Sequence, residues 1–318
     1  MAAIQTRQQR ESVTGGILCM LVTMMWFITL DTLAKELLAN LGYSIAQVVW
    51  ARFFFHFVLA AALALVFWRD RIASRHLPWQ LVRSLLLLVT TVLFNAGLRT
   101  APLATATAIM FLSPVMITAL SVPILGEQVG VRRWVGVGAG LVGAFIIIRP
   151  GAEGFDGGAF FFLAAALLNA GYQLLTRRIA RIDDPRTTFF YTAIAGAVAA
   201  SLVAPYHWQN PAPAHWLLLL GMGATGGIGH LFLIYAFEKA PVSAVAPFAY
   251  SALVWATLAG YVFFGEVPDV WTVAGAVLIA ASGLYIFHRE RALAAMEKVQ
   301  KSPARVSIGQ VHVSDSNE

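Results

Sequence analysis

Along this chain apolar residues come in long blocks, and polar positions gather in short breaks between them. A membrane helix needs about 17–25 apolar residues. Ten blocks reach that length: 15–38, 45–68, 79–99, 102–125, 133–149, 157–177, 187–205, 215–237, 242–264 and 269–287. The breaks carry turn or charge signals, as in "RDRIASRHLP" (69–78) and "RIDDPR" (181–186). The pattern predicts an all-α integral membrane protein with ten transmembrane helices. Residues 1–14 read as a polar N-terminal segment, and 288–318 as a polar tail, a short surface helix followed by disorder.

Composition changes the picture little. Hydrophobic residues make up 59% of the 318, charged residues 12%, and mean hydropathy is +0.73. A soluble domain carries about 25% charged residues, so the surrounding solvent must be lipid. The single cysteine, Cys19, excludes an internal disulfide and any multi-cysteine metal site. The first apolar block is long enough to span and lacks a clean cleavage site, so it is expected to be retained.

Charge adds orientation. The formal charge of +6 does not point to nucleic acid, because the basic residues sit in the short breaks. With the N-terminus in the cytoplasm, 18 of the 22 lysines and arginines fall on the inner face, Arg83 among them. Lys35, Arg99 and Arg149 fall outside, and Arg52 is left within the membrane. Both termini are therefore expected in the cytoplasm, and the bacterial inner membrane is the expected location.

A repeat is legible. "RTAPLATATAIMFLSPVMITALSVPILGEQVGVRRWVGVGAG" (99–140) aligns with "EKAPVSAVAPFAYSALVWATLAGYVFFGEVPDVWTVAGAVLI" (238–279) at an offset of 139. Ala101-Pro102 falls on Ala240-Pro241, Gly126-Glu127 on Gly265-Glu266, and Gly136 on Gly275. Upstream, 15–35 aligns with 157–177 at an offset of 142, placing Lys35 over Arg177 and Asp31 over Gln173. Each copy, 15–150 and 157–287, holds five spans, and an odd number inserts the second upside down. Inverted repeats with a site between them are the mark of secondary transporters that alternate access by moving one half against the other.

Lys35, Arg52, Ala101-Pro102, Pro114 and Glu127, with the echoes Ala240-Pro241 and Glu266, together resemble the drug/metabolite transporter superfamily, EamA type. The resemblance covers about 15 to 287. It implies two inverted five-helix EamA repeats and carriage of small organic solutes across the inner membrane. The stretch 229–260 is also similar to the subgroup with riboflavin and S-adenosylmethionine importers.

Arginine at mid-bilayer costs about 2.5–3.5 kcal/mol on insertion scales and is usually paired, cavity-facing and functional. Arg52 lies seven residues into the second span, about 10 Å deep at ~1.5 Å per residue. Asp31 falls at a similar depth, one turn below Lys35. An Asp31–Arg52 pair with Lys35 over it is expected, either as a structural clamp or as a substrate contact. That pairing would keep Asp31 ionised, which favours facilitated diffusion or exchange, with proton symport as the alternative. Asn169, Tyr172 and Gln173 share one face of the sixth span. His230 in the eighth span and His56, four residues past Arg52, are read as packing residues or as ligands. Pro114 and Pro247 interrupt helices, tolerated only beside protein or a watery cavity. Met110, Phe111, Tyr250 and Trp255 could wall such a cavity for a flat solute, or simply pack.

Several classes are excluded. "GMGATGGIG" (221–229) lacks the Gly-Lys-Ser/Thr ending of a phosphate loop, and no Walker, HExxH or GxSxG motif occurs, so the chain is not read as an enzyme. No cofactor is expected. Partners are a small-molecule substrate and the bilayer, without nucleic acid, and the chain is either a monomer or a homodimer. A carrier importing riboflavin or a similar flat metabolite is the first functional reading. Export of amino acids or other metabolites is the alternative, and a channel or receptor the rival of different class.

Overall fold

Apolar segments that must satisfy their backbones without water fold as helices, and no strand occurs among the described residues. The computed structural model describes residues 2–67, 73–125, 130–150, 157–180 and 182–301. Ten helices there are long and apolar enough to cross a membrane. They are α1 (Ser12–Asn40), α2 (Ile45–Phe67), α3 (Leu77–Leu98), α4 (Leu103–Val122), α5 (Val131–Ile148), α6 (Gly158–Ile179), α7 (Pro185–His207), α8 (His215–Lys239), α9 (Ala246–Phe264) and α10 (Val270–Arg289). The first and last run beyond the apolar blocks. Helix begins at Ala2, and the last continues unbroken to Lys301, so the start of the expected tail extends α10. Glu127 and residues 302–318 lie outside the described residues.

Two spans are broken at equivalent points. Helical structure in α4 stops at Met110 and restarts at Ser113, just before Pro114. Pro114 has no N–H to return to the Met110 carbonyl, which explains a break one turn upstream. In α9 a 3-10 turn over Ala246–Tyr250 contains Pro247, and regular helix begins at Ser251. The rings at the two breaks, Phe111 and Tyr250, stand 139 positions apart and stack on each other, centroids 4.6 Å apart and planes at 21°. The residues related by the repeat thus touch where a pseudo-two-fold axis must pass.

The packing obeys the same exchange. α1 packs along α8 as α6 packs along α3, and α2 meets α8 as α7 meets α3. α1 meets α9 as α6 meets α4, while α2–α7, α4–α9 and α5–α10 pair across the axis. All of these interfaces join one repeat to the other. The halves are interleaved, so the expected motion of one repeat as a body against the other does not suit this packing.

Small residues set the α5–α10 contact. A Cβ on Gly136 would lie 2.8 Å from Ile286, and one on Gly275 would lie 2.5 Å from Ile147 and 2.5 Å from the Gly143 carbonyl oxygen. These are one contact seen twice, since both pairs shift by 139. Backbone approach of this kind holds membrane helices together without a hydrophobic drive between them. Gly275→Leu should therefore lower stability by about 1–3 kcal/mol or more through overpacking. Gly138→Leu, on the same interface helix but with nothing within 4 Å of a built Cβ, should be nearly silent. Thermal unfolding in detergent micelles measures both, and equal effects would refute the close-approach account.

Candidate functional site

At one end of the bundle α1 closes on the opposite repeat. Lys35, 5% exposed, forms an ion pair with Glu266 and donates to the Ala101 carbonyl at 2.8 Å. The second Glu266 oxygen accepts the Leu103 N–H at 2.9 Å. Gly265, at φ +66°, ends α9 in the left-handed conformation and turns Glu266 inward. Lys35 therefore does not stand over Asp31 and Arg52 as expected. It joins the end of α1, the Ala101-Pro102 corner that opens α4, and the α9–α10 loop. The Ala-Pro and Glu landmarks of the repeat are here one clamp. Its counterpart would involve Glu127, outside the described residues, and Arg177, exposed in the last turn of α6. A cavity of about 380 Å³ beside the clamp is lined by Lys35, Asn40, Arg99, Phe264 and Glu266 among others.

Deeper, α1, α2, α6 and α8 bring Asp31, Arg52, Tyr172, His56 and His230 toward one place. Arg52 lies within electrostatic range of Asp31, Tyr172, His56 and His230. Asp31 and Arg52 are partly exposed inside the bundle, but no ion pair within 4.0 Å joins them among the described residues. The expected direct pair is thus a looser neighbourhood, and the inference that contact with Arg52 keeps Asp31 ionised loses its geometric support. The two histidines meet, which their spacing along the chain did not reveal. Their rings are 5.3 Å apart, and the His230 Nδ1 is 2.8 Å from the Gly226 carbonyl. His56 rests on α8 where Gly223 and Gly227 leave room for it.

The other expected residues divide. Asn169 donates to Ser113 Oγ at 3.2 Å, bridging α6 to the break in α4. Gln173 and Met110 are half-buried, Met110 against the main core. Trp255 packs on that core, and its indole nitrogen is enclosed without a partner among the described residues. The Tyr250 hydroxyl reaches α10, where a Cβ on Gly283 would lie 2.0 Å away. Pro114 is exposed, and Pro247 is half-buried within the 3-10 turn.

The sequence reading missed Arg83. Counted among the inner-face charges, it is instead 1% exposed within α3. Its Nε donates to Gln80 Oε1 at 3.2 Å, its Nη1 to the Tyr172 hydroxyl at 3.1 Å, and its Nη2 to the Thr188 carbonyl and Thr192 Oγ1 at 2.7 and 2.8 Å. A signal was present: Gln80, Arg83, Ser84, Leu87 and Thr91 share one helical stripe, and all five are buried against the opposite repeat. Gln80 also donates to Asp183 Oδ2 at 2.9 Å, and Ser74 Oγ and the Arg75 N–H complete the carboxylate's shell.

Ten spanning helices in two inverted repeats, with charged and aromatic groups enclosed between them, define a transporter and not an enzyme. The chain belongs to the EamA-like transporter family, which matches residues 14–149 and again 156–287. It is 29% identical to an S-adenosylmethionine uptake transporter of Rickettsia prowazekii, covering 88% of this chain and 95% of that protein. Against a riboflavin transporter of Rhizobium johnstonii it is 29% identical over 86% and 91% of the two chains. Against the pseudopaline exporter CntI of Pseudomonas aeruginosa the identity is 28%, over 86% and 95%. A solved crystal structure matches with a TM-score of 0.60 at 19% identity, covering 89% of this chain and 99% of that one. That likeness concerns the fold alone. The protein is a multi-pass membrane transporter of small metabolites.

Asp183, 7% exposed, offers a pH test of the hydrogen-bonded shell around its carboxylate. Burial acts to raise its carboxyl, but the Ser74, Gln80 and Arg75 donors, with His76 nearby, outweigh it and hold the group below its ordinary value of 3.8. A depressed carboxylate contributes stability above its unfolded value and loses it as pH falls through the folded one. Asp183→Asn should therefore cost about 1–3 kcal/mol near pH 7. The gap from wild type should narrow below about pH 4. Thermal unfolding across pH reads this directly, and a gap that stays constant into acid would show that the carboxylate charge is immaterial.

Proposed function

We propose that this chain imports a small metabolite bearing both a planar ring and charged groups, of the S-adenosylmethionine kind, by alternating access in the bacterial inner membrane. The observation that carries the reading is the placement of Asp31 and Arg52 inside the bundle, close in field but not in contact. An acidic and a basic group held apart suit a solute that offers a partner to each. A neutral flavin would leave them unmatched in a low-dielectric site, which is costly. The buried charge thus moves the preference from a riboflavin-like solute, the first choice on sequence, to a charged one. The Phe111–Tyr250 stack supplies aromatic surface at the pseudo-axis. The relative named for S-adenosylmethionine uptake supports import. Export is the second reading, supported by the relative named as a pseudopaline exporter.

Because the principal interfaces join the repeats, the bodies suited to move are mixed bundles, α1 with α8 and α9 against α3 with α4 and α6. The bonds from Lys35 to the Ala101 carbonyl and from the Leu103 N–H to Glu266 would open with them, while the Lys35–Glu266 pair stays within one bundle.

Purified protein in liposomes should give saturable S-adenosylmethionine counterflow, and Asp31→Asn should reduce it at least about 10-fold, the loss of one charged contact. Riboflavin counterflow instead would restore the neutral-solute reading. Flux that neither saturates nor exchanges would mark a channel. For orientation, reporter fusions after residue 207 should report the periplasm and fusions after 181 the cytoplasm. The reverse at either site would overturn the assigned topology.

A further inference from the structure

Among the described residues the buried guanidinium of Arg83 has no ion-pair partner. All four of its hydrogen bonds go to neutral acceptors: an amide, a phenol, a backbone carbonyl and a threonine hydroxyl. A guanidinium has five N–H groups, so one hydrogen remains, on Nη1, the nitrogen that faces Tyr172. The nearest carboxylate in its network, Asp183, is reached only through the Gln80 side chain.

We propose that Arg83 and Arg52, with Tyr172 between them, form a subsite for a carboxylate of the transported molecule. Three observations converge. Tyr172 receives an Arg83 hydrogen bond and lies within range of Arg52. The fields of both arginines meet at His56 and His230, while Asp31 is the one carboxylate in this group, so arginines outnumber carboxylates there. His56 is 3% exposed, and its Nε2 has no partner among the described residues. A free guanidinium hydrogen, an unpartnered imidazole nitrogen and two arginines to one carboxylate together suit an anionic acceptor. A carboxylate meets that need. Asp31 then remains for the ammonium of the same amino-acid group.

The subsite rests on the carrier reading above and deepens its substrate class. The test compares two probes binding to the full chain in nanodiscs. S-adenosylmethionine carries an amino-acid carboxylate, and 5′-methylthioadenosine keeps the ring and sugar but lacks the amino-acid group. Wild type should bind the first at least about 10-fold more tightly, as expected when a site built for a charged group meets a ligand without it. Arg83→Gln should bring that ratio to about one while the methylthioadenosine Kd changes less than about 2-fold. Tyr172→Phe should lower the ratio in part, and Asp183→Asn should leave it alone.

A ratio unchanged in Arg83→Gln overturns the subsite, as does an equal collapse in Asp183→Asn, which would mean that Arg83 answers to the Asp183 network. Should Arg83→Gln fail to fold, Tyr172→Phe decides, and an unchanged ratio there is equally fatal. Wild-type binding of riboflavin with no affinity for either probe discards the subsite and leaves the carrier standing. Binding of methionine but not S-adenosylmethionine, lost in Arg83→Gln, keeps the subsite and discards the ring. Binding of none of the four overturns the substrate reading and the subsite together.

Discussion

Lys35, Arg83 and Asp183, charges removed from water, are satisfied in this protein across the boundary between its repeats. Lys35 of the first repeat closes on Glu266 of the second. Arg83 reaches Tyr172, Thr188 and Thr192, and Asp183 is held from Ser74, Arg75 and Gln80. At the exposed edge of the same boundary Arg149 pairs with Asp269, both side chains 41% exposed, and Thr272 and Arg149 keep that carboxyl below its ordinary value. An unpaired buried charge is far more costly than a paired one, so neither repeat can present these groups without the other.

The same interleaving shapes the interior. Close backbone approach at Gly143 and Gly275 fixes α5 against α10 on the axis, and the stacked Phe111 and Tyr250 mark the axis at the two helix breaks. What the repeat leaves unequal is chemistry. Asp31 faces the role that Gln173 holds in the second copy, and the Arg83 stripe gathers on the first copy's α3. A symmetric scaffold carrying an asymmetric set of charges offers different surroundings on approach from its two ends.

Much was determined by sequence alone. Hydropathy sufficed for ten helices because lipid imposes one solution on every apolar block, and the spacing of Ala-Pro, Gly-Glu and Gly136/Gly275 disclosed the duplication because tight corners and close packing demand those residues. Arg52 and Asp31 stood out as charges within apolar runs. Tertiary structure decided the rest, since partners far apart in the chain are chosen by helix rotation and tilt, which one-dimensional patterns do not carry. Lys35 could be placed by depth, but which face it turned, toward Asp31 or toward Glu266, depended on how α1 docks beside α9. Arg83 looked like a loop charge because it lies near a span's end, and only burial of its helical face against α6 and α7 made it an interior cation.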